Sequence, residues 1–378
     1  MTLSTDIKVL IRSFNIIGIP FNANRKYDAS SSRKVSKRIL YFLLELTFFL
    51  FDAFNVLRRT LWISNENIFY VLTTSATSLS IMALRLSIAF KRKEIISLVF
   101  LLQNFTDNYQ IKKYTSRKKE LDILCYLNLI IPPAFGTIFV VFFHEQFDEL
   151  RDEYMLDYCS RYSVREKIYI ILFTFAYSIH FYVTSLLCMT LFIAIFNSYA
   201  DALRQMLTET YRRLRVDISL KNIAYASEMI LKAQKVHQRI EDVLSFSILI
   251  AYLLVFVNFL NLVSISVSDF AHHSLQVRAI ACSVIFCWTT ASFVKLTLAG
   301  SRLVDACEMW KHYQKDIVRH CSRIKFKREE ELAYLLMFLE ESKIDLAFTG
   351  WGIFRLERSL LLTIAEAIVS YSVLVATV

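Results

Sequence analysis

The chain has 378 residues, 55% of them hydrophobic and 14% aromatic, with only 5 Gly and 3 Pro; 44 Lys and Arg stand against 34 Asp and Glu, a formal charge of +10. So apolar a chain is not disordered, so few turn residues argue against a β-rich domain, and the sequence carries no Gly-rich phosphate loop and no base-reading motif. Mean hydropathy is positive, so the apolar residues are gathered into blocks with charge between them. That is the pattern of an all-α polytopic membrane protein.

Residues 1–38 are polar and basic, with no short apolar core and small-residue cleavage site. They read as a cytoplasmic N-terminal segment, with the first span acting as its own signal. Seven windows long and apolar enough to cross a bilayer follow: Ile39 to Leu57, Ile68 to Phe90, Leu121 to Phe143, Ile168 to Ala200, Leu244 to Val267, Ala279 to Leu298, and Ser359 to Val378. Pro132-Pro133 predicts a kink in the third. The spacing predicts a six-helix bundle over 39–299, a long helical loop over 201–243 within it, anchor helices over 300–358, and a seventh helix over 359–378. Of the Lys and Arg outside the spans, 35 fall in the N-terminal segment and the loops after spans two, four and six, and 7 in the other loops. The first set is therefore expected to be cytoplasmic, with the C-terminus extracellular. A receptor coupled to G proteins has the opposite orientation. The basic excess is then an asymmetry of faces, and no nucleic-acid partner is expected.

No Cys/His cluster has metal-ligand spacing, no HExxH occurs, and no paired acid/base or nucleophile motif suggests an enzyme. No cofactor is expected. Of the cysteines only Cys159 falls in an external loop, so a disulfide scaffold is not expected. The second external loop is acidic, from Glu145 to Glu166, and reads as a solvated loop or a cation-concentrating vestibule. The sequon at Asn104 falls on the inner side, where it would go unused.

In the loop after span four, Ile223, Ile230, Ala233, Ile240 and Val243 recur at helical spacing. Before span seven, Leu303, Trp310, Ile317 and Ile324 repeat every seven residues, with Cys307, Gln314 and Cys321 between them. This heptad seam is read either as part of an intramolecular bundle or as an oligomer anchor. Leu332, Leu335, Leu336 and Leu339 form a second apolar face. Within spans, Glu45 and Asp52 share one face of the first, and Arg85 and Lys295 lie near inner ends; such charges call for an internal partner or for snorkelling. On the seventh span Ser359, Thr363, Glu366, Ser370 and Thr377 form one polar stripe at about 100° per residue. Such a stripe must meet other polar groups or water. Around a symmetry axis it would line a pore, and Glu366 would favour cations.

The stretch Phe348-Thr349-Gly350-Trp351-Gly352-Ile353-Phe354-Arg355-Leu356-Glu357-Arg358-Ser359-Leu360-Leu361 resembles the lead-in to the last span of insect gustatory receptors, G-x-F-x-h-x-R-x-L-L. Ser370, Tyr371, Thr377 and Val378 stand where that family closes in T-Y-(five apolar)-Q-F, with spacing and tyrosine kept. The resemblance implies a ligand-gated, non-selective cation channel of four subunits in the plasma membrane of sensory neurons. It implies a pore lined by the last span, with Thr377 and Val378 at the outer constriction, and a cytoplasmic anchor carrying most subunit contacts. Sugar-sensing members tend to carry an acidic residue after the motif tyrosine. Ser372 stands there, which favours a bitter or contact-pheromone ligand.

The same resemblance implies a ligand site in the outer half of the bundle. That zone offers Tyr177, His180, Phe181, Asn258, Asn261, Trp288 and Thr289, aromatics and amides suited to small amphipathic tastants. The expected partners are such a small molecule, membrane lipid, and identical or related subunits in a homo- or hetero-tetramer. An insect odorant receptor subunit is the near alternative. A G-protein-coupled receptor and a secondary transporter stand further off, the latter because repeated halves with matching broken spans are not seen.

Overall fold

The computed structural model describes residues 8–21, 31–61, 68–107, 114–142, 171–172, 174–269, 275–321 and 329–377. The expectations for the acidic loop, Cys159, Ile324 and Val378 lie outside the described residues, and Thr377 is described only in its backbone. The described elements are α1 (Lys8–Ile16), α2 (Ser31–Leu61), α3 (Ile68–Asp107), α4 (Tyr114–Phe142), α5 (Thr174–Val216), α6 (Leu220–Asp269), α7 (Leu275–Cys321), α8 (Glu329–Glu341), a two-residue hairpin of β1 (Thr349–Gly350) and β2 (Phe354–Arg355), and α9 (Ser359–Thr377). The chain is an all-α polytopic membrane protein. Among the described residues, helices occupy the seven apolar windows. Four of the described helices, α3, α4, α5 and α6, are long and apolar enough to span by composition alone, and α9 is a shorter apolar helix.

The long helices outrun the bilayer. At 1.5 Å per residue the 50 residues of α6 extend about 75 Å, against a hydrocarbon core of about 30 Å. The surplus of α5, α6 and α7 forms a second bundle beyond the spans, at the end where the basic loops gather. The periodic residues of the 201–243 segment and its continuation point into it: Ile223, Ile230, Ala233, Ile240 and Val243 are all buried. α2 and α3, and α3 and α6, run as packed antiparallel pairs; α5 and α7 pack side by side in the same direction, Asn197 beside Arg302 and Tyr211 beside Tyr313, with α9 against α6 and α7.

The heptad seam is used inside the chain. Leu303, Trp310 and Ile317 are at most 1% exposed. Trp310 Nε1–H donates to the Ser342 carbonyl at 2.9 Å, and Gln314 Nε2 donates to Ser342 Oγ at 2.9 Å. The oligomer-anchor reading of these side chains is therefore corrected: they close α7 over the segment that follows α8, and no partner could reach them without unfolding it. The second face is corrected as well. Leu335 and Leu339 are buried, joined by Phe338, but Leu336 is 53% exposed, because one residue is a rotation of about 100°.

The spans' charges find partners that spacing could not name. Arg85 of α3 is 2% exposed. Its Nε and Nη2 donate to both oxygens of Glu45 on α2 at 2.9 and 2.8 Å, Nη2 also reaches the Ile17 carbonyl at 2.7 Å, and Nη1 reaches Thr184 Oγ1 of α5 at 3.2 Å. The guanidinium lies 4.3 Å from the centre of the Phe48 ring. That ring stacks on His180 at 4.6 Å, and His180 Nε2 is 2.8 Å from Asp52 Oδ2. Glu45, Phe48 and Asp52 stand at i, i+3 and i+7, so one face of α2 carries acid, ring and acid against the two bases. The turn after α1 fits beneath Arg85 because Gly18 has φ +91° and lies against Leu44. Lys295, by contrast, is exposed on the outside of α7.

Removing one partner of a buried pair leaves an uncompensated charge, at about 3–5 kcal/mol. Arg85→Met should therefore sharply lower the melting temperature of the detergent-purified chain. Arg85→Met combined with Glu45→Leu should recover most of the loss. A melting curve for the double variant no better than the single one would contradict this account.

Candidate functional site

α9 has two faces of different character. Leu360, Leu361, Ile364 and Ile368 pack against the core, and Tyr371 Oη meets Ser264 Oγ of α6 at 3.2 Å. Ser359, Thr363, Glu366 and Ser370 are exposed, as are Leu362, Val369 and Val373. The hydroxyls of the stripe turn back on their own helix: Thr363 donates to the Ser359 carbonyl at 3.3 Å and Ser370 to the Glu366 carbonyl at 2.9 Å. Each thereby satisfies its donor without a neighbouring span. Among the described residues no cation is paired with Glu366. The stripe is thus not absorbed by spans of the same chain, one of the two fates its sequence left open.

The hairpin ahead of α9 is wedged between α5, α6 and α7. Phe348 stacks on Phe196 of α5 at 4.0 Å, Phe354 approaches Tyr252 of α6 at 5.0 Å, and Trp351 meets Phe246 edge to face at 5.5 Å. Its glycines answer close approaches. A Cβ on Gly350 would sit 2.3 Å from the Phe354 ring, and one on Gly300 of α7 would sit 2.6 Å from Leu356 Cβ. The motif residues of the last-span lead-in are therefore packing residues that dock the start of α9 against three helices. Outward-facing ion pairs join them, Arg355 to Asp345 and Arg358 to Asp305, both at 2.9 Å; at these exposures they contribute little.

The ligand candidates do not form one group. Tyr177, His180 and Phe181 of α5 come together: Tyr177 stacks on Phe181 at 4.3 Å and meets Phe51 of α2 edge to face, and Phe181 meets His180, which packs against Phe48 and Asp52 of α2. His180 occupies a π-helical turn, Ile179–Val183, in which the Thr184 hydroxyl bonds the Ile179 carbonyl five residues back at 3.2 Å. Such turns are often found at functional sites. Asn261 is engaged elsewhere, its Oδ1 accepting from Thr73 and Thr74 of α3 at 3.1 and 2.9 Å. Asn258, Trp288 and Thr289 are half-buried, and Trp288 Nε1, like Asp52 Oδ1 and His180 Nδ1, is a buried polar atom with no hydrogen-bond partner among the described residues. Spacing placed Asp52 on one face of its helix with Glu45 but could not pair it with a histidine 128 residues away. Among the described residues no group of His, Cys, Asp or Glu could hold a metal ion.

Below the spans, His237 of α6 lies between Tyr199 and Phe348, ring centres at 6.0 and 5.5 Å. Burial pushes its pKa down to about 4. The folded imidazole stays neutral where the unfolded one, near 6.5, takes a proton. Stability is therefore full above pH 6.5 and falls between pH 6.5 and 4, by on the order of 3 kcal/mol. Replacing His237 with Phe should flatten that part of a melting-temperature profile; an unchanged slope would show that the acid sensitivity lies elsewhere. Gly300→Ala should lower stability by about 1–3 kcal/mol through the Leu356 clash, read by the same melting assay.

The sequence profile of the 7tm chemosensory receptors matches residues 7–375. No curated protein matches the chain significantly. Among solved structures, it resembles the olfactory receptor OR5 of the insect Machilis hrabei in complex with eugenol, with a TM-score of 0.73 at 13% identity over 99% of this chain and 98% of that one. The structure of OR5 described without eugenol gives 0.66 at 14% identity over 97% and 96%. At such identities the likeness is one of fold.

Proposed function

The chain belongs to the seven-transmembrane chemosensory receptor family, a family of receptors and not of enzymes, and on that premise we propose that it is a gustatory receptor subunit forming a ligand-gated, non-selective cation channel. Its openers are small tastants of the bitter or contact-pheromone kind, and it works at the plasma membrane of sensory neurons. The observation that carries this is the stripe on α9. Ser359, Thr363, Glu366 and Ser370 are exposed on the single chain, yet a carboxylate facing lipid at mid-span costs about 2.5–3.5 kcal/mol. Water around a symmetry axis removes most of that cost. Four copies of α9 would then line a pore, with Thr377 and Val378 at its outer end, and the ring of Glu366 would favour cations. The lead-in motif from Phe348 to Leu361 supports the gustatory over the odorant assignment. The basic residues put the N-terminus and the second bundle in the cytoplasm.

The subunit contact must then use surface that the fold leaves free. Val318 of α7 and Tyr334, Leu336 and Met337 of α8 are about half exposed in the part of the chain beyond the spans, where water and not lipid would otherwise meet them. The tastant would be recognised in the outer half of the bundle, with Tyr177, Phe181 and the His180–Asp52 pair as the aromatic and polar elements. Asn258, Asn261, Trp288 and Thr289 supply the amide and indole groups on α6 and α7. An odorant receptor subunit is the second reading, favoured by the likeness to OR5; such a subunit would need a co-receptor. Whole-cell recording from cells expressing this chain alone, against sugars, bitter compounds and cuticular hydrocarbons, separates the two. Currents that require a co-expressed co-receptor would favour the odorant reading.

Two further measurements test the architecture. Cysteines at Ser370 and Glu366 should react with water-soluble thiol reagents and ones at Leu361 and Ile368 should not, while Glu366→Gln lowers cation over anion permeability without loss of surface delivery. Equal reactivity on both faces would make the stripe a packing surface. Leu336→Asp with Tyr334→Asp should reduce the detergent-solubilised tetramer to smaller species while the melting temperature holds, whereas Trp310→Asp should abolish folding. A tetramer indifferent to the first pair would move the contact to another face.

A further inference from the structure

Thr349 opens the hairpin that leads into α9, and both its donors end on one carboxylate. Its N–H donates to Glu241 Oε1 of α6 at 3.0 Å and its hydroxyl donates to Glu241 Oε2. The same hydroxyl oxygen accepts the Gly352 N–H at 3.1 Å, and the Trp351 N–H donates to the Ser245 carbonyl, one turn along α6, also at 3.1 Å. Trp351 and Gly352 have φ of 52° and 72°. A tryptophan is strained there, so the turn keeps its shape through its bonds and ring contact to α6. Four residues after β2, the backbone becomes α9.

No cation compensates Glu241 among the described residues. Its neighbours on α6 are Asp242, which repels it, and His237, which burial keeps neutral. From α3, Lys91 reaches the Asp242 carbonyl at 2.9 Å and not a carboxylate. From the hairpin, Arg355 is taken by Asp345 and Glu357. From α5, the Tyr199 hydroxyl donates to the Ala233 carbonyl at 2.9 Å. The half-buried carboxylate is thus held chiefly by the two Thr349 bonds. Burial raises its pKa above the ordinary carboxylate value, with Asp242 adding and the Thr349 bonds opposing.

We propose that Glu241 and Thr349 form a proton-dependent clamp on the lead-in to α9, tightened when Glu241 takes up a proton from the cytoplasmic side and loosened when it gives that proton up. The neutral acid keeps both contacts: its carbonyl oxygen accepts the Thr349 N–H, its O–H donates to Thr349 Oγ1, and no charge stays buried. Linkage sets the sign. Release of the hairpin exposes the carboxylate to water, where its proton affinity is ordinary, so the proton binds more tightly to the clamped state. Clamp stability is complete at low pH and is lost as pH rises through the raised value. That conduction would follow cytoplasmic pH rests on the proposed pore role of α9; the clamp itself does not.

Hydrogen exchange of the purified full-length chain, read by mass spectrometry between pH 5.5 and 8.5 and corrected for chemical exchange at each pH, tests the clamp. Protection of the amides at 349–352 should fall as pH rises across that range. In the closed state His237 is neutral throughout it. Glu241→Gln, which keeps a carbonyl acceptor and a donor in place of the acid O–H, should be flat at the acidic wild-type level. Thr349→Val should be poorly protected at every pH, and Thr349→Ser should keep the wild-type slope, so a poorly folding Glu241 variant does not remove the test. A flat wild-type profile, or a Glu241→Gln slope equal to wild type, overturns the clamp. A slope that disappears in Glu241→Gln, together with equal thiol reactivity at Ser370→Cys and Leu361→Cys, keeps the clamp and overturns the pore reading.

Discussion

The fold turns on one guanidinium. Arg85 lies within a span, almost wholly removed from solvent, and an unpaired cation there would be untenable. The arrangement that satisfies it recruits Glu45 from α2, the Ile17 carbonyl from the turn after α1, Thr184 from α5 and the face of Phe48. Three segments far apart in the chain thus converge on one planar group with five donors in fixed directions. Each fixes the register of the others: α2 cannot slide along α3 without parting Glu45 from Arg85, and α1 cannot leave without exposing the guanidinium. The Phe48 ring carries the arrangement on to His180 and Asp52, so the inner face of α2 is ordered from its basic end towards the outer half by alternating charge and ring.

α6 organises the other half of the molecule. It packs along α3 in the spans, contributes its lower half to the bundle beyond them, and holds α9 at both ends. Ser264 meets Tyr371 near the top, while Ser245 and Glu241 hold the hairpin at the bottom. A displacement of α6 relative to α3 is therefore felt at two heights of α9. Asn261, bonded to Thr73 and Thr74, sits where those two helices meet in the outer half. A ligand there that competed for the Asn261 amide would act on the extensive packing of α3 against α6. Coupling of this kind needs no long wire, because a rigid helix of 50 residues joins the two places directly.

The stripe on α9 and the seam on α7 show why periodicity alone cannot assign a face. Both were read from repeats of polar or apolar residues, and both readings allowed contact inside or outside the subunit. In α9 the polar face points away from the bundle. In α7 the apolar seam points into it, and the free apolar surface lies instead at Val318 and on α8, where Leu336 and Met337 stand beside buried Leu335 and Phe338. A helix of alternating character presents the same pattern whichever neighbour its chain or its partner provides; only the packing of α5 and the 342–348 segment against α7 decides the matter.

Much was determined by the sequence by itself. Blocks of apolar residues of bilayer length dictate the spans, because no other structure satisfies so many backbone groups without water. The buried face of the lower α6 follows from 3.6-residue spacing, and the lead-in motif marks the start of the last helix and the family. These are local properties, legible within a window of a few turns. Tertiary structure alone decided the partners: Glu45 with Arg85, Asp52 with His180, Glu241 with Thr349, Asn261 with two threonines of α3. Each pair joins residues 40 to 188 positions apart. A buried charge states in sequence only that it must be compensated; which group compensates it depends on how whole helices come to lie side by side, and that is settled by the sum of many side-chain contacts.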